Sequence, residues 1–255
     1  MLIVLSPAKT LDFESDYHLV DFSFPIFIKE AEKLIKLLRR YKPGELSGLM
    51  DISAKLADLN FERYLKWTTK HELPLAKPSV FAFKGDVYIG LDALNLTSNQ
   101  LNFLNKNVRI LSGLYGILKP FDLINAYRLE MGTPLKNTKG KDLYSFWSNL
   151  ITGQIIKDID QSDGEKVLIN LASNEYFQSV KRNKIKFRII TPSFKEFKDN
   201  EYRFISFNAK KARGLMTRFI TTEKIENPEE IKHFNLEGYR FNEDLSKGDH
   251  WLFTR

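Results

Sequence analysis

The sequence predicts a mixed α/β fold, one β-sheet covered by helices, in a single domain spanning residues 1–255. Three observations carry this. Short continuous apolar runs, such as Leu2-Ile-Val-Leu5 and Val108-Arg-Ile-Leu111, have the composition of strands buried on both faces. Other stretches repeat apolar residues at helical spacing. The C-terminal end alternates like a hairpin, so parallel and antiparallel pairing are both expected.

Along the chain, Leu2–Leu5 reads as the first strand and Ser6-Pro-Ala-Lys-Thr10 as the loop leaving it. From Pro25, Phe27, Ala31, Leu34, Leu38 and Tyr41 recur at steps of four and three, which places them on one helix face that ends at Pro43-Gly44. Residues 45–67 continue helical, with a break near Asp51-Ile52-Ser53. Val80-Phe-Ala-Phe83 and Asp86-Val-Tyr88 flank Lys84-Gly85 like strand, turn and strand. Residues 101–104 belong to a helix, residues 108–111 to a strand, and Ser112-Gly-Leu-Tyr-Gly116 to the following loop. Further strands are expected at residues 166–171, 187–191 and 202–207, the last running through a capping Asn208 into a helix. Residues 239–241 and 251–253 surround Ser246-Lys-Gly-Asp249 as a terminal hairpin.

Composition excludes several classes. The 255 residues are 43% hydrophobic and 28% charged, with no cysteine. Disulfide scaffolds, thiol nucleophiles and thiolate metal sites are therefore ruled out, and a reducing cytoplasm is the expected compartment. His18, His71, His233 and His250 sit at no ligand spacing, so neither a metal nor a cofactor is expected. The first apolar run is too short for a signal core and no later stretch is long enough to span a bilayer. No linker, repeat or low-complexity tract divides the chain, and a monomer is the simplest expectation.

The net charge of +7 is unevenly placed. Between Lys181 and Arg218 there are 12 Lys/Arg and 3 Asp/Glu, a net of +9, which leaves −2 for the rest. Such a block is expected of a protein that meets phosphates on double-stranded DNA or another phosphate-bearing ligand, or else is a solvated basic face. Inside it, Ala212, Leu215, Met216 and Phe219 share a core-facing helix side, leaving Lys210, Lys211, Arg213 and Arg218 for the surface. Cations near a helix N-terminus oppose the macrodipole unless an anion is close by.

Two more constellations bear on function. Leu49-Met-Asp-Ile-Ser-Ala-Lys-Leu-Ala57 has the outline of a helix-hairpin-helix element, in which backbone amides near Ser53 and the Lys55 side chain would meet a phosphate. Asp51 and Ser53 stand where that pattern has glycines, and a plain helical hairpin capped by Asp or Ser is the alternative. Asn170-Leu-Ala-Ser-Asn-Glu-Tyr176 follows a buried strand and would deliver Ser173, Glu175 and Tyr176 to its carboxyl end, where α/β sheets place their sites. An enzyme could use Glu175 as a base and Tyr176 as a donor, although no triad can be drawn.

Six blocks taken together, Ser6-Pro-Ala-Lys-Thr-Leu11, Leu111-Ser-Gly-Leu-Tyr-Gly-Ile-Leu-Lys-Pro-Phe-Asp122, Tyr127-Arg-Leu-Glu-Met-Gly132, Lys141-Asp-Leu-Tyr144, Asn170 to Tyr176 and Lys210-Lys-Ala-Arg-Gly-Leu-Met216, resemble the peroxide stress protein YaaA family. Glu237-Gly-Tyr followed by Asp244 fits as well. The resemblance implies a cytoplasmic bacterial protein that protects against hydrogen peroxide by limiting damage from unincorporated iron. It also implies a family-specific α/β fold with a positively charged cleft, a helix-hairpin-helix element and DNA binding, and it assigns no catalytic residues. The expected phosphate contacts are Lys9, Ser53, Lys55, Ser112, Tyr115, Arg128, Asn170, Lys181, Lys210, Lys211, Arg213 and Arg218. An enzyme acting on a nucleotide-like molecule in the same cleft, using Lys9, Arg128, Glu175 and Lys210, is the second expectation. An open groove as wide as a duplex favours the first, and a closed pocket the second.

Overall fold

A computed structural model describes residues 1–18 and 20–255. In chain order the elements are β1 (Leu2–Leu5), β2 (Thr10–Leu11), α1 (Ile28–Leu38), α2 (Pro43–Met50), α3 (Ala54–Lys66), β3 (Lys77–Pro78), α4 (Ser79–Ala82), β4 (Phe83–Lys84), α5 (Asp86–Leu91) and α6 (Ser98–Asn107). Then come β5 (Val108–Ser112), β6 (Gly116–Leu118), β7 (Leu123–Ile124), α7 (Leu143–Trp147), α8 (Leu150–Gln161), β8 (Val167–Leu171) and α9 (Asn174–Phe177). The chain closes with β9 (Arg188–Lys198), β10 (Glu201–Arg203), α10 (Ser206–Thr222), β11 (Arg240–Lys247) and β12 (His250–Thr254).

The main sheet runs β11-β12-β9-β8-β1-β5-β6, with β10 paired to β9. β1 lies parallel between β8 and β5, Ile3 facing Ile169 on one side and Val108 on the other. β9 and β12 extend the parallel set, while β6, β10 and β11 pair antiparallel. The expected mixed sheet under helices is the architecture observed. Every residue of β1, β5 and β8 is buried. That explains why β1 is unbroken apolar and β5 and β8 mostly so, since a strand covered on both faces has no solvent side to alternate toward; the buried exceptions are Arg109, paired with Asp158 at 2.6 Å, Ser112 and Asn170.

Helix α1 buries Ala31, Leu34, Ile35 and Leu38, as the spacing predicts. The break between α2 and α3 also falls as expected. Asp51 takes a left-handed conformation at φ 50, and the Ser53 hydroxyl caps α3 by accepting from the Leu56 amide at 3.4 Å. Among the described residues no helix is long and apolar enough to cross a membrane.

Two expectations fail. Residues 80–88 do not form strand, turn and strand: α4 is a single helical turn, Phe83–Lys84 pairs with Thr10–Leu11, and Asp86 opens helix α5. Aromatic and β-branched residues there suggested strands, but Val87 and Leu91 are one helical turn apart and bury toward α10, so packing overrode propensity. Residues 202–207 are likewise not one strand. β10 stops at Arg203 and α10 starts at Ser206, so Asn208 lies inside the first turn, and the N-cap is Ile205 without a side-chain bond.

Candidate functional site

The site forms where β1 and β8 end side by side. The Ser6 hydroxyl, just past β1, accepts the Ser173 amide at 2.8 Å and lies 3.3 Å from the Ser173 hydroxyl, which ties the two outgoing loops together. Tyr88 of α5 donates to the Ser6 carbonyl at 3.1 Å. Beside this junction opens a cleft of about 930 Å³, lined by the 6–10 loop, residues 84–88, the 173–176 turn and the start of α10. Its ionic side chains are Lys9, Lys84, Lys210 and Arg213 against Asp86 and Glu175.

Each charge has a different status. Glu130 accepts from Lys9 at 2.6 Å through one oxygen and from Arg128 at 2.7 Å through the other, so it holds two cations at once. Arg128 is half-buried, and its Nε has no partner among the described residues. Lys84 pairs with Asp12 at 3.0 Å. Glu175 accepts the Gly132 amide at 3.0 Å, and its carbonyl accepts from the Tyr144 hydroxyl at 2.9 Å, which fixes the turn that presents its carboxylate.

Arg213 stands apart. Burial lowers its pKa, yet among the described residues no carboxylate or carbonyl accepts from its guanidinium. Arginine stays protonated regardless, so an unmatched charge sits in the cleft wall. Lys210, one turn earlier, is exposed and likewise unpaired among the described residues. Burial also pushes the Tyr88 and Tyr176 phenols well above their ordinary pKa, which keeps both as neutral donors in the wall.

The structure gathers Lys9, Ser173, Glu175, Tyr176, Lys210 and Arg213 around this cleft, and Arg128 joins through Glu130. Other expected contacts lie elsewhere. Ser112 and Tyr115 are completely buried: the Ser112 hydroxyl bonds Tyr127 at 2.6 Å and accepts the Tyr115 amide, so neither side chain can meet a phosphate. Asn170 is buried too, its Oδ1 accepting the Ala172 amide to shape the exit of β8. Arg218 donates to the carbonyls of Leu91 and Asp92 and thereby closes the C-terminal end of α5. Lys211 pairs with Glu237 at 2.5 Å, away from the cleft. Lys181, whose amide donates to Thr152, is not among the lining residues, and exposed Ser53 and Lys55 sit on the separate α2–α3 hairpin.

Lys84, Asp86, Tyr88, Phe204 and Glu130 escaped the sequence reading. The polar Lys84-Gly85-Asp86 trio was the available signal, masked because Lys84-Gly85 was expected as a turn and Asp86 as the start of a strand. For Ser173, Glu175 and Tyr176, no histidine lines the cleft among the described residues, so the Ser173 hydroxyl has Ser6 rather than a base beside it. The arrangement sets two cations without an ionic partner among the described residues, Lys210 and Arg213, beside two carboxylates, Asp86 and Glu175, that could take a proton.

Comparison with known proteins adds the following. A family model described as peroxide stress protein YaaA matches residues 1–245. UPF0246 proteins of Alteromonas mediterranea and Aliivibrio fischeri are each 49% identical over 255 residues, which cover 100% of this chain and 98% of theirs. The UPF0246 protein of Hahella chejuensis is 46% identical, with coverage of 100% and 99%.

Proposed function

Because this chain belongs to the peroxide stress protein YaaA family, we propose that it protects cytoplasmic DNA during peroxide stress by binding backbone phosphates and so limits iron-driven damage. The observation that carries this reading is Arg213, a half-buried guanidinium in the cleft wall with no carboxylate or carbonyl partner among the described residues. A phosphate oxygen supplies the bonds this guanidinium lacks, in the geometry that guanidinium favours. Glu130 and Asp12 already pair Lys9 and Lys84, so the support from charge comes from Lys210 and Arg213.

The α2–α3 hairpin supports the same reading from a second surface, as a helix-hairpin-helix element. Ser53 and Lys55 are exposed at the start of α3, where helix amides favour an anion, and Asp51 opposes it by charge. Phosphate contacts are sequence-indifferent, so affinity should depend on salt far more than on base order. The test is a mobility-shift titration of duplex DNA across salt concentrations with wild type and Arg213→Gln. Salt-insensitive or absent binding by the wild type refutes the reading.

One observation favours a second reading. At about 930 Å³ the cleft has the volume of a small-molecule site rather than a duplex channel. A phosphate-bearing, nucleotide-sized substrate would place its phosphate on Arg213 and Lys210, with Glu175 as the nearby base. Thermal stabilisation by nucleoside phosphates, in a protein that does not shift DNA, would favour it.

A further inference from the structure

Residues 197–207 carry four exposed aromatic side chains: Phe197 at 56%, Tyr202 at 38%, Phe204 at 57% and Phe207 at 60% exposure. Large apolar groups on a soluble surface cost hydration free energy and ordinarily mark a contact site when they cluster. Two of the four are in direct contact. Phe197 and Tyr202 are directly opposed in the β9–β10 ladder, their rings 5.1 Å apart and edge to face. Phe204 lines the cleft that holds Arg213 and Lys210, and Phe207 lies in the first turn of the helix that carries both cations.

The chemistry of the patch selects its partner. Its exposed large apolar residues are all aromatic; Lys195 and Lys198 flank Phe197 in the chain, Lys198 opposite Glu201 in the ladder, and Lys210 lies one turn beyond Phe207, none of the three in an ion pair among the described residues. Arg203 pairs with both Asp199 and Glu201, and Glu196 pairs with Arg255, so residues 195–210 carry a small positive excess of four Lys/Arg over three Asp/Glu. Flat π faces beside unpaired cations and an unfilled guanidinium complement a ligand that alternates flat bases with negative phosphates.

We propose that the β9–β10 hairpin and the start of α10 form a stacking platform for unpaired nucleobases of a nucleic-acid strand whose phosphate occupies the Arg213 cleft. This rests on the phosphate-binding reading above and adds the identity of the strand. In an intact duplex the base faces are covered by their neighbours, and exposing one carries the cost of unstacking. An unpaired strand offers those faces freely, and each stacked base adds affinity without regard to sequence. The cleft is also sized for a few nucleotides rather than two strands.

The test uses the full-length protein and fluorescence anisotropy with three labelled probes: a short mixed-sequence DNA strand, the same backbone made abasic, and the perfect duplex. Wild type should bind the base-bearing strand roughly tenfold more tightly than the abasic one, and more tightly than the duplex. Phe204→Ala with Phe207→Ala should bring the ratio of base-bearing to abasic affinity close to one, whereas Arg213→Gln should weaken both strands and keep that ratio. Equal binding of the base-bearing and abasic strands by wild type, or tighter binding of the duplex, overturns the platform and leaves the phosphate reading standing. Absence of binding to all three probes overturns both.

Discussion

Gly90 of α5 and Gly214 of α10 meet where the two helices cross in backbone contact. A Cβ on Gly90 would stand 2.2 Å from the Lys211 carbonyl oxygen, and one on Gly214 would stand 1.8 Å from that of Val87. Neither obstacle is a flexible side chain, so a methyl group forces the helices apart. The crossing also sets the site, because the N-terminal end of α5 and the Lys210–Arg213 turn of α10 form two walls of the cleft. Gly214→Ala should destabilise the protein by about 1–3 kcal/mol in urea denaturation and weaken ligand binding. An unchanged midpoint would show that the helices are not held at this distance.

Lys210 and Lys211 are adjacent in sequence but differ in circumstance. Lys211→Ala removes a side chain already paired with Glu237 and should leave DNA affinity nearly unaltered. Lys210→Ala should weaken binding to all duplexes alike and flatten the log–log salt slope by about 0.9. Equal effects of the two would place the phosphate outside the cleft.

Arg213 predicts opposite effects on stability and binding. Replacing an unpaired, desolvated charge with a neutral side chain relieves a cost in the free protein, whereas the ligand loses its best partner. Arg213→Gln should raise the Tm of the unliganded protein while lowering affinity for DNA. A lowered Tm would mean that the guanidinium is matched by a contact within the fold.

The Tyr115 hydroxyl is a junction of three bonds, accepting from Trp67 Nε1 at 2.9 Å and from the Asn125 amide at 3.1 Å, and reaching His71 Nε2 at 2.9 Å. Tyr115→Phe keeps the ring and strips all three partners. With buried donors left unmatched, a loss of about 2–4 kcal/mol is expected by urea denaturation. A loss below about 1 kcal/mol would indicate that water replaces the hydroxyl.

These cases show what the sequence could reveal. β1, β5 and β8 were legible because full burial writes itself as a run such as Leu2-Ile-Val-Leu5. α1 was legible because one face of it is buried. α5 was not: six residues hold too little periodicity to compete with the strand propensity of Val87, Tyr88 and Ile89, and the contact that decides the matter, Gly90 against α10, is over a hundred residues away in sequence. The same limit applied to the site. Lys9, Glu175 and Lys210 sit in polar blocks after strands or at a helix start and could be nominated singly. Which of Ser112, Tyr115 and Asn170 face inward depends on the packing of the β5–β6 turn and the exit of β8, on which spacing is silent.

Iron gives a further expectation. Among the described residues no three or more His, Asp or Glu side chains gather as a metal site. Any influence on iron toxicity is then expected to be indirect rather than by sequestration, and anaerobic dialysis should find no stoichiometric ferrous binding. Tight one-to-one binding would reverse this.

His71 gives the fold a pH response whose sign can be worked out. Burial holds its pKa down to about 4, against 6.5 for the exposed ring. The hydrogen-bond pattern agrees: Tyr115 already accepts from Trp67 and Asn125, so its own proton points at His71 Nε2 and the ring stays neutral. Between about pH 6.5 and about pH 4 the unfolded chain therefore binds a proton that the folded chain refuses. The contribution is intact above that window and is lost as pH falls through it, by roughly 2 kcal/mol between pH 7.5 and pH 5. Buried Asp122 acts in the opposite sense, because its pKa is raised mainly by burial and its protonation favours the folded state. The informative quantity is thus the difference between wild type and His71→Gln, in which only the histidine response is removed. The urea midpoint of the wild type should fall more steeply with acid than that of the variant, and parallel slopes would show that His71 takes up its proton as readily folded as unfolded.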